Sequence, residues 1–197
     1  MFVAVRLSAD MSAKLEAFLE PRRGSGGVRW TPPDQFHVTL AFAAAVPAHR
    51  VDGLLEALGE VADRTAPFVL TVGGAGAFPA PYAAKVLWLR AASDPLADVA
   101  GLARRSRTAF ARCGIAVQGG DFVPHLTVAR SRAPIEATRL VRMLDAAPSL
   151  RWLVEDVVLV ESRLGERPAG RARHTDIASF PLTGPLTGPL KQTDSNN

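Results

Sequence analysis

Hydrophobic and polar positions follow two rhythms along the chain, and together these predict a mixture of strands and helices. Short runs of alternating or continuous apolar residues predict strands, whereas apolar residues three and four positions apart predict helices. Clusters of proline and glycine such as PRRGSGG mark the ends of elements. The predicted strands cover residues 2–7, 36–42, 68–74, 85–91, 125–130, 152–162 and 174–182, and the predicted helices cover residues 9–20, 48–64, 95–113 and 133–147.

The predicted elements follow the order β-α-β-α-β twice, over about residues 1–78 and 84–182. A repeat of supersecondary units predicts two lobes related by a rough two-fold axis, with equivalent strands brought together. We expect these lobes to share strands and to form one domain over residues 1–182. Residues 183–197 lack periodicity and end in polar residues, which predicts a flexible C-terminal tail.

Both halves carry a His-x-Thr element at the same point of the repeat, HVTL from His37 and HLTV from His125. Because side chains alternate along a strand, each histidine is expected to share a face with the threonine two residues later, Thr39 or Thr127. The apolar residues between and after them are expected on the opposite face: Val38, Leu40, Phe42, Leu126 and Val128. If the two strands are neighbours, two imidazoles and two hydroxyls converge.

Such a convergence suits in-line attack at a phosphodiester. One neutral imidazole would accept a proton from the nucleophile, one imidazolium would donate a proton to the leaving oxygen, and the hydroxyls would bind non-bridging oxygens. Histidine fits both roles because its ordinary pKa allows both forms near neutrality. Each placed acid or base contributes roughly 10²- to 10⁴-fold in rate, so this pair could act without a metal.

Two other interpretations of the histidines stay open at this point. They could be structural, in which case each buried imidazole needs a hydrogen-bond partner. They could bind zinc or iron, but these metals favour a third strong ligand. The carboxylates nearest in sequence, Asp34 and Asp121, lie upstream of the two strands and not on the face that presents the histidines.

Other residue patterns argue against several further kinds of chemistry. The single cysteine, Cys113, excludes an internal disulfide and a thiolate zinc cluster, and its position near a helix end indicates ordinary packing. No Gly-x-Ser-x-Gly nucleophile elbow occurs. The GGAGAF segment at residues 73–78 lacks a Walker lysine and leads toward another strand, which argues against a phosphate-binding loop. His49 begins a predicted helix and is expected at the surface.

The charge balance points toward anionic partners without requiring one. The formal net charge is +4, and most of the basic residues are arginines, whose guanidinium groups suit bidentate phosphate contacts. Arginines on solvated surfaces explain the same composition equally well. No apolar run reaches the length of a membrane span, and the amino terminus lacks the pattern of a secretory signal. We therefore expect a soluble, cytoplasmic protein without a membrane partner.

At its two His-x-Thr elements the chain resembles the two-histidine phosphoesterase superfamily, and within it the RNA 2′,3′-cyclic phosphodiesterases, also called 2′-5′ RNA ligases. The resemblance covers essentially residues 1–182. The segments that carry it are FVAVRL at 2–7, VRWTPPDQFHVTLAF at 28–42, GAFPAPYAAKVLWL at 76–89, FVPHLTVAR at 122–130 and ESRLGERPAGRARHTDIASFPL at 161–182.

The resemblance implies a bilobal α+β fold in which antiparallel sheets line a central cleft and helices lie outside. It implies that RNA or nucleoside 2′,3′-cyclic phosphate ends are hydrolysed to 2′-phosphomonoesters, with no metal and no cofactor. By position, His37 would be the proton donor and His125 the proton acceptor, while Thr39 and Thr127 would bind the substrate phosphate. The reverse reaction would join 2′-phosphate and 5′-hydroxyl ends, and we expect a monomer.

Arg130 and His174 are candidate substrate contacts. Arg130 follows the second motif, but strict alternation would point it with Leu126 and Val128, so a twist or bulge is needed to aim it at the cleft. His174 stands where the family often has a tyrosine, and a surface strand position is the favoured interpretation.

Two rival functions remain open on the sequence. The first is a noncatalytic RNA-binding module that uses the arginines, for which strongly salt-dependent binding without turnover is expected. The second keeps the two-histidine chemistry but acts on another cyclic phosphate or on a 2′-5′ linkage.

Overall fold

A computed structural model describes residues 1–24, 27–93, 97–167 and 171–185 of the 197-residue chain. The strands in these residues are β1 Phe2–Arg6, β2 Arg29–Trp30, β3 His37–Phe42, β4 Phe68–Phe78, β5 Ala84–Ser93, β6 His125–Ile135, β7 Leu150–Val154, β8 Asp156–Arg167 and β9 Arg171–Pro181. The helices are α1 Ala9–Leu19, α2 Val51–Asp63, α3 Ala97–Arg112 and α4 Thr138–Asp145.

All of these strands pair antiparallel in a continuous sheet of order β7-β4-β5-β6-β3-β1-β8-β9, and β2 pairs with part of β6. The strands that carry the two His-x-Thr elements, β3 and β6, are neighbours and meet where Val38 pairs with Leu126. The predicted α+β class with antiparallel strands is confirmed. This pairing joins the two halves of the strand order into one sheet.

The helices cover one face of the sheet, where the main core lies. Leucines from the inner sides of the helices, such as Leu15, Leu54, Leu102 and Leu144, pack against strand residues in one buried cluster. Each fully buried leucine stabilises the fold by roughly 1.5–3 kcal/mol relative to an exposed one. A second, small cluster on the other face consists of Phe2, Ala4, Val158 and Val160, with Phe42 packed against it. We call this second face, away from the helices, the open face.

The end strand β9 folds back over the start of β3, so the sheet is strongly curled. The side-chain amide of Gln35, just before β3, donates a hydrogen bond to the Ala172 carbonyl at 3.0 Å. Arg6 on β1 forms an ion pair with Asp176 on β9. These contacts bridge strands that are not neighbours in the sheet, and they enclose one side of the open face.

Two predicted elements have different bounds in the structure. The single strand predicted over residues 152–162 is divided at Glu155 into β7, which pairs with β4, and β8, which pairs with β1. The run of apolar residues hid this change of partner because buried apolar residues continue from β7 into β8 on either side of Glu155. The helix predicted from residue 133 begins only at Thr138, since β6 continues to Ile135. The two-residue strand β2 lies in a segment that was expected to be a loop.

The start of the predicted tail is ordered. Leu182 is buried, the Thr183 amide donates to the Ala62 carbonyl, and the Gly184 amide donates to the Thr65 carbonyl. The prediction of flexibility from residue 183 is therefore wrong for Thr183 and Gly184, whereas residues 186–197 lie outside the described residues. None of the described helices combines the length and apolarity that crossing a membrane requires.

Gly76 on β4 tests the packing of the open face, because a Cβ atom there would lie 2.2 Å from Cζ2 of Trp88. We predict that Gly76→Ala lowers the free energy of unfolding by about 1–3 kcal/mol, since the indole would have to move. Gly59 on α2 is the matched control because a Cβ there would meet nothing within 4 Å. Gly59→Ala should be neutral or stabilising by about 0.5–1 kcal/mol. Urea unfolding followed by tryptophan fluorescence measures both changes, and equal stability of the Gly76 variant and the wild type would contradict the close contact.

Candidate active site

A bulge in β3 changes which side chains reach the open face. In the pairing with β1, Val3 lies opposite Ala41 but Ala4 lies opposite Thr39, so Leu40 is an extra residue. Leu40 and Ala41 are consequently both buried in the main core. Phe42 is turned to the open face, where it packs against the second cluster. The prediction that Phe42 shares a face with Val38 and Leu40 is therefore wrong, because strict alternation fails at a bulge.

An equivalent bulge in β6 re-aims Arg130. Leu87 pairs with Ala129 and Trp88 pairs with Thr127, so Val128 is the extra residue, and both Val128 and Ala129 are buried in the core. Arg130, five residues after His125 as Phe42 is after His37, then lies on the open face with the histidines. The bulge that this orientation was expected to require is present.

The pairing of Val38 with Leu126 brings the two His-x-Thr elements side by side. Because these two apolar residues are fully buried, the residues that flank them face the open side. In an antiparallel pair this places His37 next to Thr127 and Thr39 next to His125. Neither threonine hydroxyl forms a hydrogen bond with another described residue, which leaves both available to a ligand.

Both imidazoles are held by the same hydrogen bond. His37 Nδ1 lies 2.7 Å from the Gln35 carbonyl oxygen, and His125 Nδ1 lies 2.7 Å from the Val123 carbonyl oxygen. A carbonyl only accepts, so Nδ1 carries the hydrogen in each neutral ring and Nε2 keeps its lone pair. Each Nε2 can therefore accept a proton when its ring is neutral and donate one when it is charged.

Burial disfavours the charged form of both histidines. It is the largest cause that lowers the pKa of His37 from 6.5 to about 4, and the nearby positive groups of His174, Arg6 and Arg130 lower it further, while the hydrogen bond to Gln35 opposes them. Burial also lowers the pKa of His125, with Arg130 adding to the effect and the bond to Val123 opposing it. Without a ligand, both imidazoles are neutral at neutral pH.

Aromatic side chains surround each imidazole. The Phe2 ring stacks on His37 with 4.8 Å between centroids. Phe78 meets His125 edge-on at 5.0 Å, and Trp88 lies 6.2 Å from the same ring. These contacts explain the burial that lowers both pKa values. They also restrict the two rings to one orientation, which a proton-transfer group requires.

His174 belongs to the site and not to the outer surface. Its ring is half-buried, with its centroid 5.6 Å from His37 and 5.1 Å from Phe2. The favoured interpretation of His174 as a surface strand residue is therefore wrong. The curl that folds β9 over the open face brings it there, and no local pattern of the sequence reports that curl.

The arginines at the site differ in their surroundings. Arg130 pairs in register with Arg29, and partial burial first and the Arg29 charge second lower the pKa of Arg130. Arg6 lies opposite His37 and is held by Asp176 and by the Asp34 carbonyl oxygen at 3.1 Å. Arg90 lies opposite His125. The sequence pattern did not single out Arg6 or Arg90, although alternation along β1 and β5 would place each on the face opposite the core residues.

No third strong metal ligand accompanies the histidines within the part of the chain that the structure describes. Those residues contain no group of three or more histidine, cysteine, aspartate or glutamate side chains suited to hold a metal ion. Cys113 is half-buried and packs against the core beyond α3, and His49 is exposed in the turn that precedes α2.

The curled antiparallel sheet and its paired His-x-Thr strands define a class of protein, and comparison with known families identifies which one. The sequence profile of the 2′-5′ RNA ligase superfamily matches residues 11–166, so the chain belongs to that superfamily.

The chain is similar to several proteins named RNA 2′,3′-cyclic phosphodiesterase. It is 30% identical over 187 residues to that of Thermus thermophilus, with 93% of this chain and 90% of the relative covered. It is 30% identical over 194 residues to that of Geobacillus stearothermophilus, which covers 95% of this chain, although the chain spans only 58% of that relative.

Solved structures of similar proteins have the same fold. The crystal structure of TT0787 of Thermus thermophilus superimposes with a TM-score of 0.75 at 28% identity, covering 93% of this chain and 97% of that one. The crystal structure of Escherichia coli LigT complexed with 3′-AMP gives a TM-score of 0.73 at 26% identity, covering 92% and 97%.

The hydrogen bonds at Nδ1 predict a specific protonation pattern. Two-bond ¹H–¹⁵N NMR spectra at neutral pH should show both His37 and His125 as neutral rings with the hydrogen on Nδ1. On acidification His37 should remain neutral until the pH approaches about 4. The spectrum of His37→Ala assigns the signals. An Nε2–H tautomer at either residue, or a charged His37 at pH 6.5, would contradict this description of the site.

Proposed function

We propose that the chain hydrolyses RNA 2′,3′-cyclic phosphate ends to 2′-phosphomonoesters by metal-independent acid–base catalysis with His37 and His125. The observation that carries this function is the pair of imidazoles, each held at Nδ1 by a carbonyl and each leaving Nε2 for proton transfer on one shared face. Relatives named RNA 2′,3′-cyclic phosphodiesterase support the substrate class.

In the forward reaction, His125 Nε2 accepts a proton from a water molecule whose oxygen attacks the phosphorus. The bond between phosphorus and the 3′ oxygen breaks, and protonated His37 donates its Nε2 proton to that oxygen. The product keeps its phosphate on the 2′ oxygen. The assignment of His37 as donor and His125 as acceptor follows the family resemblance, since both imidazoles are held by the same hydrogen bond at Nδ1.

The substrate phosphate is bound by groups that flank the histidines. The Thr39 and Thr127 hydroxyls donate to non-bridging oxygens, which is consistent with their lack of partners among the described residues. Arg130 supplies a positive charge on the same face, and the position of His174 next to His37 supports a substrate contact there. Residues 1–182 act as one bilobal unit because the two catalytic histidines come from different halves of it.

The substrate itself supplies the charge that the acid needs. A proton donor must be charged before the reaction, yet the pKa of His37 is about 4 without ligand. A phosphodiester anion next to the imidazole favours the charged form and raises that pKa. Binding therefore converts His37 into an acid only when a phosphate is present.

The same groups allow a ligation in which the cyclic phosphate reacts with an alcohol instead of water. A 5′-hydroxyl in place of water, deprotonated by His125, would attack a cyclic phosphate and form a 2′-5′ linkage by the corresponding steps. Water at its high concentration favours hydrolysis, so ligation is expected to be weak.

Replacing either histidine tests the catalytic assignment. We predict that His37→Ala and His125→Ala each lower kcat for an RNA ending in a 2′,3′-cyclic phosphate by roughly 10²- to 10⁴-fold. Thr39→Val and Thr127→Val should cause smaller losses, because a hydroxyl contributes one hydrogen bond to the phosphate. End-group analysis of the products should find only 2′-phosphate from the wild type, and activity should persist in chelator.

Other outcomes point to the alternatives. Salt-dependent RNA binding with no turnover by the wild type would indicate a noncatalytic RNA-binding module. Loss of activity in chelator would indicate a metal enzyme. Cleavage of a different cyclic phosphate or of a 2′-5′ linkage, with the RNA end left intact, would keep the chemistry and replace the substrate.

The lowered pKa values predict an acidic optimum for kcat/KM. This quantity reports the free enzyme, in which one imidazole must be neutral and the other charged. Since the pKa of His37 is about 4 and that of His125 lies below 6.5, the singly protonated pair is most populated below pH 6.5, and the fraction of it that carries the proton on His37 follows the same pH dependence. The value of kcat/KM should therefore be maximal below pH 6.5. The optimum for kcat should lie at higher pH, because the bound phosphate raises the pKa of both histidines. Steady-state kinetics with adenosine 2′,3′-cyclic phosphate measures both, and a kcat/KM that still rises above pH 6.5 would refute the assignment.

A further inference from the structure

We infer that Arg90 binds a backbone phosphate of single-stranded RNA other than the phosphate that reacts, so that the RNA chain crosses the half of the open face formed by β4 to β7. This inference rests on the proposed function and specifies its substrate as a polynucleotide end. It is carried by the position of Arg90, by its lack of a partner and by the distribution of charge between the two halves of the sheet.

Arg90 projects from the open face beside the site. Its neighbours along β5, Leu89 and Ala91, are buried in the main core, so its side chain points to the opposite side of the sheet. It pairs in register with His125, and directly opposed residues of antiparallel strands have Cβ atoms about 4.5–5.5 Å apart. On its other side lie Gly73 and Gly74 of β4, which bring no side chain to cover it.

The guanidinium group of Arg90 is exposed and has no partner among the described residues. It forms neither a hydrogen bond nor an ion pair with any of them. An exposed guanidinium group beside the site, without a partner among the described residues, can reach a phosphate that neighbours the reacting one.

Charge is distributed unequally between the two halves of the sheet. The strands β4, β5, β6 and β7 contain no aspartate or glutamate, and their basic residues are Lys85, Arg90, Arg130, Arg132 and Arg151. The strands β8 and β9 carry four carboxylates, Asp156, Glu161, Glu166 and Asp176, and four arginines, Arg163, Arg167, Arg171 and Arg173, so their charges balance. Arg6, which lies opposite His37 as Arg90 lies opposite His125, is ion-paired with one of these carboxylates, Asp176. A polyanion is thus attracted to the β4–β7 half.

A single RNA strand matches these features. Its successive phosphates would occupy the reacting site and Arg90 at once, and arginine is the residue that binds phosphate with a bidentate geometry. A nucleoside 2′,3′-cyclic phosphate has only the reacting phosphate and cannot use Arg90. The residue therefore distinguishes a polynucleotide end from a free nucleotide.

The test compares two substrates with wild type, Arg90→Met and Arg104→Met. The substrates are adenosine 2′,3′-cyclic phosphate and a tetranucleotide that ends in the same cyclic phosphate. Arg90→Met should lower kcat/KM for the tetranucleotide by roughly tenfold, the effect of one charge-assisted contact. The loss of kcat/KM with the mononucleotide should be about twofold at most. Arg104 is an exposed arginine on α3. Its replacement removes the same charge and should leave kcat/KM for both substrates unchanged.

Salt dependence supplies an independent readout. The slope of log kcat/KM for the tetranucleotide against log salt should become shallower by about 0.7 in Arg90→Met, because one phosphate contact to a single strand is lost. Equal losses with both substrates would overturn the inference by placing Arg90 at the reacting phosphate. Tetranucleotide kinetics like those of the wild type would overturn it by placing the RNA elsewhere.

A binding measurement distinguishes failure of this inference from failure of the proposed function. The affinity of a tetranucleotide ending in a 2′-phosphate, measured by fluorescence anisotropy, requires no turnover. If the wild type hydrolyses neither substrate but Arg90→Met weakens this binding with the shallower salt slope, the proposed function fails and the RNA-binding role of Arg90 stands. If turnover is normal and binding is unaffected by Arg90→Met, the role of Arg90 fails and the proposed function stands.

Discussion

The antiparallel contact between β3 and β6 is the constraint on which the site depends, because each strand carries only one of the two His-x-Thr elements. The contact is made where Val38 and Leu126 pair, and both side chains are fully buried under the helices. Burial of aliphatic side chains on one face therefore fixes which way the histidines and threonines point on the other. A shift of one residue in either strand would turn the His-x-Thr element of that strand into the core.

Two bulges then complete the site without disturbing that contact. Each inserts one residue a few positions after a histidine and returns the chain to the open face, with Phe42 on one strand and Arg130 on the other. The scaffold is thus nearly symmetric, while the side chains that it presents are not. The ring of Phe2 lies against one imidazole and the ring of Phe78 lies against the other. Arg130 carries a positive charge, whereas Phe42 at the equivalent position does not.

Periodicity was sufficient to predict most strands and helices, the repeat of the two His-x-Thr elements and the common face of each pair, since all of these depend on neighbours in sequence. The features that it missed depend on contacts between distant residues. The division of one apolar run at Glu155 reflects two different partner strands. The orientation of Phe42 reflects a bulge, and the position of His174 reflects the curl of the sheet. Alternation alone contains no information on any of these three.

The electrostatics of the site contain a conflict that the arrangement of arginines resolves. Positive charge near the histidines attracts phosphate but also lowers the pKa of an imidazole, as Arg130 does at both rings, and in the proposed mechanism one of these imidazoles must act as an acid. More arginines at the reacting phosphate would therefore strengthen binding at the expense of the charged imidazole. In the inferred path of the RNA, an arginine at the neighbouring phosphate adds affinity without that penalty, because its charge acts on another phosphate. The ion pair of Arg6 with Asp176 limits the same penalty on the side of His37, where the pKa is already lowered most strongly by burial.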